Sequence, residues 1–193
     1  MSAWIKMIDV ADATGAVEEM YELVKTPHGT VDNVMRAHSL RPHTMKGHVT
    51  LYRSVLHNPE NVLPFWFLEV VASYTSHLNN CAYSFSHHFT NARNLINDDE
   101  KSDRIMECFR NRSPHDVFEG KELALLNYTE RLTVDVANIN KSDFDAIKAT
   151  GCDDGEILEV NQVVAYFSYS NRLLNGLGVT TEGDTVGYYK KEK

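Results

Sequence analysis

The chain has 193 residues, 42% of them hydrophobic and 24% charged, with a formal net charge of −8. That length can bury one sizeable core, and the negative balance sets aside general binding to nucleic acid or to an anionic membrane surface. No apolar run is long enough to cross a bilayer, the start Met1-Ser-Ala-Trp-Ile-Lys-Met-Ile-Asp9 lacks the layout of a secretory leader, and three scattered cysteines, Cys81, Cys108 and Cys152, form no disulfide framework. A single domain in the reducing cytoplasm is the expectation.

In chain order, residues 1–13 read as an extended arm with Trp4, Ile5, Met7 and Ile8 as its sticky positions. An acid-rich helix follows from Thr14 to Lys25, with Val17, Met20, Tyr21 and Val24 at helical spacing, and Thr26-Pro-His-Gly29 stops it. A short helix is expected between Val31 and the Pro42 turn. Pro42 opens a longer one through Met45, Val49, Tyr52 and Val55, which ends before Asn58-Pro59. Pro64 stands at the first turn of the helix that carries Glu69, where a missing N–H is harmless. The next helix runs from Cys81 to Ile96, with Asn79 and Asn80 as natural N-cap residues. Shorter helices are expected at Ser102–Arg110 and at Phe118–Leu132, and another is capped by Ser142 and closed by Gly151. A long apolar one spans Asp154–Leu174, and Gly176-Leu-Gly178 ends it. The tail 180–193 is polar apart from Val186 and Tyr188-Tyr189 and reads as a loose arm. The class is all-α, a helical bundle with room for one short N-terminal strand.

The stretch from Glu69 to His88 concentrates the chemistry. Cys81, Ser84 and His88 stand at i, i+3 and i+7 and share one helical face. At the start of a helix the free N–H groups and the dipole favour a thiolate, which predicts a lowered pKa for Cys81. If the two helices form an antiparallel hairpin, Glu69 folds back over that face. A carboxylate, an imidazole, a thiol and a hydroxyl then converge. Of the adjacent pair, His87 projects about a hundred degrees from His88 and is assigned to the surface or an interface.

This pattern of Glu69, Cys81-Ala-Tyr-Ser84 and His88 resembles the alkylhydroperoxidase D-like branch of the carboxymuconolactone decarboxylase superfamily, with Ser84 where the family carries its second cysteine. Two flanks resemble the peroxidase-related subgroup: Asp32-Asn-Val-Met-Arg-Ala-His-Ser-Leu-Arg-Pro42, and Tyr166-Phe-Ser-Tyr-Ser-Asn171-Arg172-Leu-Leu-Asn-Gly-Leu-Gly-Val179. The resemblance covers residues 16–179. It implies an all-helical fold, a site at a helix hairpin and a homo-oligomer. It also implies a Glu69–His88 proton relay toward a thiol. Because Ser84 can neither be oxidised by peroxide as a thiol is nor close a disulfide, the two-cysteine cycle is lost.

Three activities remain open at this point. The leading expectation is that Cys81 alone is oxidised by a hydroperoxide and recycled by an external thiol reductant, as an antioxidant peroxidase. Or Glu69 and His88 perform thiol-independent acid–base work on a small carbonyl or lactone, as cysteine-free decarboxylase members do. Or the scaffold binds a ligand without catalysis. Neither nucleic acid nor membrane is an expected partner. No cofactor is expected. A zinc or iron site of Glu69, Cys81 and His88 finds no support in ligand spacing. The plainer readings are that Cys81 is a small packing residue, that Ser84 preserves packing, and that Glu69 is a core carboxylate satisfied by backbone donors or by a salt bridge such as one with Arg172. Tyr83 is read as packing, Tyr166, Phe167 and Tyr169 as core or subunit interface, and Cys108 and Cys152 as inert.

Overall fold

The computed structural model of the protein describes residues 2–191. Among the described residues nine α-helices carry the fold: α1 Ala16–Leu23, α2 Asn33–Arg36, α3 Pro42–Leu56, α4 Phe65–Leu78, α5 Ala82–Ile96, α6 Asp99–Asn111, α7 Gly120–Val134, α8 Lys141–Ala149 and α9 Asp154–Leu177. The described residues contain no strand. The N-terminal segment is instead an extended arm followed by one 3-10 turn, Val10–Asp12, and it is tied to the far end of the chain by Trp4 N to Leu177 O at 2.8 Å. Among the described residues no helix is long and apolar enough to cross a membrane.

The ends of the helices follow from local chemistry. Asp98 accepts from Lys101 N and starts α6 three residues before the sequence placed it. α8 is capped by Asn140 rather than Ser142, because Asn140 and Asp143 form a reciprocal capping box; Asp153 and Glu156 do the same for α9. Gly178 closes α9 in the left-handed region, φ +61°, and a Cβ there would lie 2.2 Å from the Trp4 ring, so the arm's indole rests where only glycine fits.

α4 and α5 pack against each other along the hairpin, and α9 lies across α4, touching α3, α5 and α7 as well. α4 is almost entirely buried; Phe67, Leu68 and Tyr74 from it meet Ile105, Phe109, Leu125, Leu126 and Phe167 in the main core. Burying each such side chain is worth about 1.5–3 kcal/mol relative to exposure. A helix surrounded this completely can hold a polar side chain only if that group is paired, and this condition sets the environment of Glu69.

Candidate active site

The α4–α5 turn sets the geometry. Asn79 ends α4 and Asn80 adopts the left-handed conformation, φ 51°, which asparagine tolerates better than most residues. Neither caps α5. The N-cap position is Cys81 itself, and no side-chain cap bond forms there. The turn is held from α9: Asn79 Nδ2 donates to Asn171 Oδ1 at 3.1 Å, and Asn175 Nδ2 donates to the Asn79 carbonyl at 3.1 Å. This is what the Asn171…Asn175 stretch does locally.

Glu69, one turn into α4, is fully buried. Its Oε2 lies 2.7 Å from His88 Nδ1, and its Oε1 accepts from Asn91 Nδ2 at 3.1 Å. A carboxylate on Nδ1 fixes the ring tautomer and leaves Nε2 as the basic atom. Phe167 meets the imidazole edge to face, centroids 4.5 Å apart. Arg172, which a core ion pair with Glu69 would require, is exposed and donates instead to Ser168 O.

His88 lines a cavity of about 40 Å³ together with Ser84, Tyr52, Tyr166, Asp32, His87 and Tyr188. A water needs roughly 10–15 Å³ of such space, so the cavity takes about three waters or a reacting group of that size. Ser84 Oγ lies 3.1 Å from Ser76 Oγ, and Asn171 Nδ2 donates to Ser76 Oγ at 3.3 Å.

Cys81 sits elsewhere. It is buried in a small apolar cluster with Ala3, Ala37, Tyr83, Leu174 and Val179, and it borders a separate depression with Ser76, His77 and Phe85. Burial pushes its thiol up from the ordinary value; the Ser84 amide, the Asn171 side chain and the Tyr83 amide act in the opposite sense and are outweighed. The lowered pKa expected at a helix start is therefore not found: desolvation beats the dipole. Cys108 and Cys152 are also buried and free.

Several residues that the sequence reading set aside enter the site. His87 is buried, not superficial, and its Nε2 has no hydrogen-bond partner. Asp184 Oδ2 lies 3.8 Å away, too far to hold a proton on the ring; burial, and then His88, lower its pKa to about 4, so it is neutral at pH 7. Tyr83 does more than pack: its hydroxyl donates to Asp184 Oδ2 at 2.6 Å and accepts from Val34 N at 3.1 Å. Tyr166 bonds His48 Nε2 at 2.9 Å.

The largest correction concerns the tail. It is not a loose arm but a strap drawn over α2 and α5. Asp184 accepts from Asn33 N, the Tyr188 hydroxyl donates to Asp32 Oδ2, Tyr188 N donates to Asn91 Oδ1, and Asn94 Nδ2 donates to Tyr189 O. Residues 192 and 193 of the predicted arm lie outside the described residues. Gly187 marks where the strap touches α5: at φ +79° a Cβ would lie 2.6 Å from Thr90 Cγ2. The strap brings Asp32 under cover, and burial raises that carboxyl to about 6 against the lowering bond from Tyr188.

These buried groups predict acid sensitivity. His48, His57 and His87, held mainly by burial near 3, 4 and 4, bind protons in the unfolded chain near 6.5 but not in the folded one, so their stabilising contribution is lost as pH falls from about 6.5 toward 4. Asp32 runs the other way, gaining a proton on folding between about 6 and 3.8. Three groups against one leave a net two protons, on the order of 2 kcal/mol of stability lost per pH unit between pH 6 and 4. Denaturant titrations across that range measure it, and His87→Asn should flatten the slope. An unchanged midpoint from pH 6 to 4 would mean that these rings are hydrated.

Among the described residues no group of three His, Cys, Asp or Glu is placed to hold a metal ion. The sequence matches no protein-family model and no curated protein. Its fold is shared with solved structures. An uncharacterised peroxidase-related protein from Ralstonia eutropha JMP134, with an alkylhydroperoxidase AhpD core, is 18% identical over 95% of this chain and 94% of its own, TM-score 0.81. Another uncharacterised peroxidase-related protein, from Silicibacter sp. TM1040, is 19% identical over 98% and 95%, TM-score 0.80. A cysteine-to-alanine form of the debrominase Bmp8 in complex with 2,3,4-tribromopyrrole is 17% identical over 93% and 91%, TM-score 0.74. At these identities the likeness is one of fold: an all-helical, AhpD-like architecture.

Proposed function

We propose that this protein is an acid–base enzyme for a small carbonyl compound or lactone, with the Glu69–His88 pair as its proton-transfer device. The observation that carries the reading is the buried 2.7 Å contact between Glu69 Oε2 and His88 Nδ1 beside a cavity that His88 and Ser84 line and Cys81 does not. Nε2 takes a proton from carbon next to the carbonyl; the C–H electron pair moves into an enolate, and the same nitrogen returns the proton. Developing charge on the substrate oxygen finds hydroxyl donors at Ser84 and Tyr52. Tyr52 keeps some exposed surface because it also walls a neighbouring chamber, yet burial, and after it the Glu69 charge, hold its phenol well above the ordinary value, so it stays a donor.

A second reading keeps the thiol. The AhpD-like neighbours are described as peroxidase-related, and the Ser84 amide and the Asn171 side chain lie beside the Cys81 sulfur, where they favour its thiolate. Here Cys81 is oxidised by a hydroperoxide to a sulfenic acid, releasing the alcohol, and an external thiol returns it to the reduced state.

One experiment separates the two. Proton exchange at the α-carbon of small β-keto acids and lactones is followed in heavy water, and hydroperoxide-treated protein is probed with a sulfenic-acid trap. The acid–base reading expects exchange that persists in Cys81→Ala and disappears in Glu69→Gln. Exchange absent from the parent protein, together with a trapped adduct on Cys81, overturns it in favour of the peroxidase.

A further inference from the structure

Beside the small cavity lies a chamber of about 520 Å³, lined by Val24, Met35, Val49, Tyr52, Arg53 and His57 and closed on the strap side by Tyr188 and Tyr189. That volume falls within the 300–1,000 Å³ usual for small-molecule sites, whereas the cavity at His88 is far too small for a whole organic ligand. Asp32, Met35, Tyr52 and Tyr188 line both spaces, so the two adjoin.

The chamber is built, not merely left over. Its apolar faces come from valines and methionine that are themselves buried. Two polar groups of its lining are buried without a protein partner: His57 Nε2 and Asp32 Oδ1. His57 is neutral at pH 7, since burial, and then His88, lower its pKa to about 4. Its Nδ1 is within 3.3 Å of the Tyr189 hydroxyl. At the rim Arg53 spends Nη2 on the Leu23 carbonyl at 2.9 Å, and its other nitrogens are available to an anion.

We propose that this chamber binds the body of an apolar, ring-sized organic anion, its charged end at Arg53, its ring between Tyr52, Val49 and Tyr189, and its reacting end directed past Asp32 and Tyr188 to His88. The site stands on geometry alone; only the placement of the reacting end rests on the proposed acid–base chemistry.

Two fluorescent probes with the same ring body test it: anilinonaphthalene sulfonate, an anion, and phenylnaphthylamine, its neutral counterpart. Both should bind the intact protein saturably at one site. Arg53→Gln should weaken the sulfonate by about fivefold, the scale of an exposed ion pair, and leave the neutral probe unchanged. Pro27→Trp, on the exposed loop that edges the chamber, should weaken both by filling it. Glu69→Gln should bind both as the parent does while losing turnover, which keeps failure of the chemistry apart from failure of the site. Non-saturating binding of both probes, or affinities that neither Arg53→Gln nor Pro27→Trp moves, overturns the assignment.

Discussion

Glu69→Gln is expected to lower turnover by about 10²–10⁴-fold, the range general acid–base groups contribute, at a stability cost of about 1–3 kcal/mol for one buried donor left unpaired. The glutamine oxygen can still accept from His88 Nδ1–H, but its NH2 then faces Asn91 Nδ2, donor against donor, because Asn91 Oδ1 already accepts from Tyr188 N. What disappears is the negative charge that stabilises an imidazolium at His88. The substitution should therefore act on kcat more than on KM. Glu69→Ala is the structural control: it leaves His88 Nδ1 and Asn91 Nδ2 unpaired beside a new void and should lower stability as well, by about 2–5 kcal/mol. If Glu69→Gln retained full turnover and an unchanged pH–rate profile, the carboxylate would be a core polar group and no more.

Removing the strap is the second large effect. A chain stopped after Gly183 loses the Asp184 acceptor for Tyr83 and Asn33, the Tyr188–Asp32 bond, the Asn94–Tyr189 bond and the Tyr188 wall shared by both cavities. Bonds to charged partners are each worth about 1.5–3 kcal/mol and the buried phenol ring adds a comparable amount, but freeing the strap regains backbone entropy that cancels much of it. A net loss of about 3 kcal/mol is expected, or about 6–12 °C in Tm for a chain of this size. His87, opened to water, should recover an ordinary imidazole titration, which NMR reads directly. Gly187→Ala provides a single-residue version, because the left-handed φ and the 2.6 Å approach to Thr90 both exclude a side chain. A truncated protein that melts with the parent and leaves His87 neutral at pH 5 would show that the strap contributes nothing to the site.

Legibility differed by element in ways that have physical causes. The long helices declared themselves through spacing: α3 begins at Pro42 and α9 at Asp154, where the structure adds the Asp153–Glu156 capping box. The Glu69–His88 meeting was legible as the result of one arrangement, an antiparallel hairpin across the short turn, and that is the arrangement the structure adopts. The Cys81 environment was not. Helix position argues for a lowered pKa, but Ala3, Leu174 and Val179 arrive from both ends of the chain to bury the sulfur, and desolvation then decides. His87 was misplaced for the same reason: one helical face looked free until the strap covered it.

Helical periodicity and proline and glycine punctuation thus indicated by themselves that this chain is all-helical and where its main helices lie. The spacing from Glu69 to His88 allowed an acid and an imidazole to face each other if those two helices formed a hairpin. Those are consequences of contacts within a few turns of chain, where side-chain type and spacing carry the information. Tertiary structure alone decided which polar groups lose water: that Asp32 and His87 are walled in by residues more than 90 positions away, that the thiol is withdrawn from the cavity, and that a second chamber adjoins it. Desolvation depends on what covers a group from every side, and no local stretch of sequence records the covering.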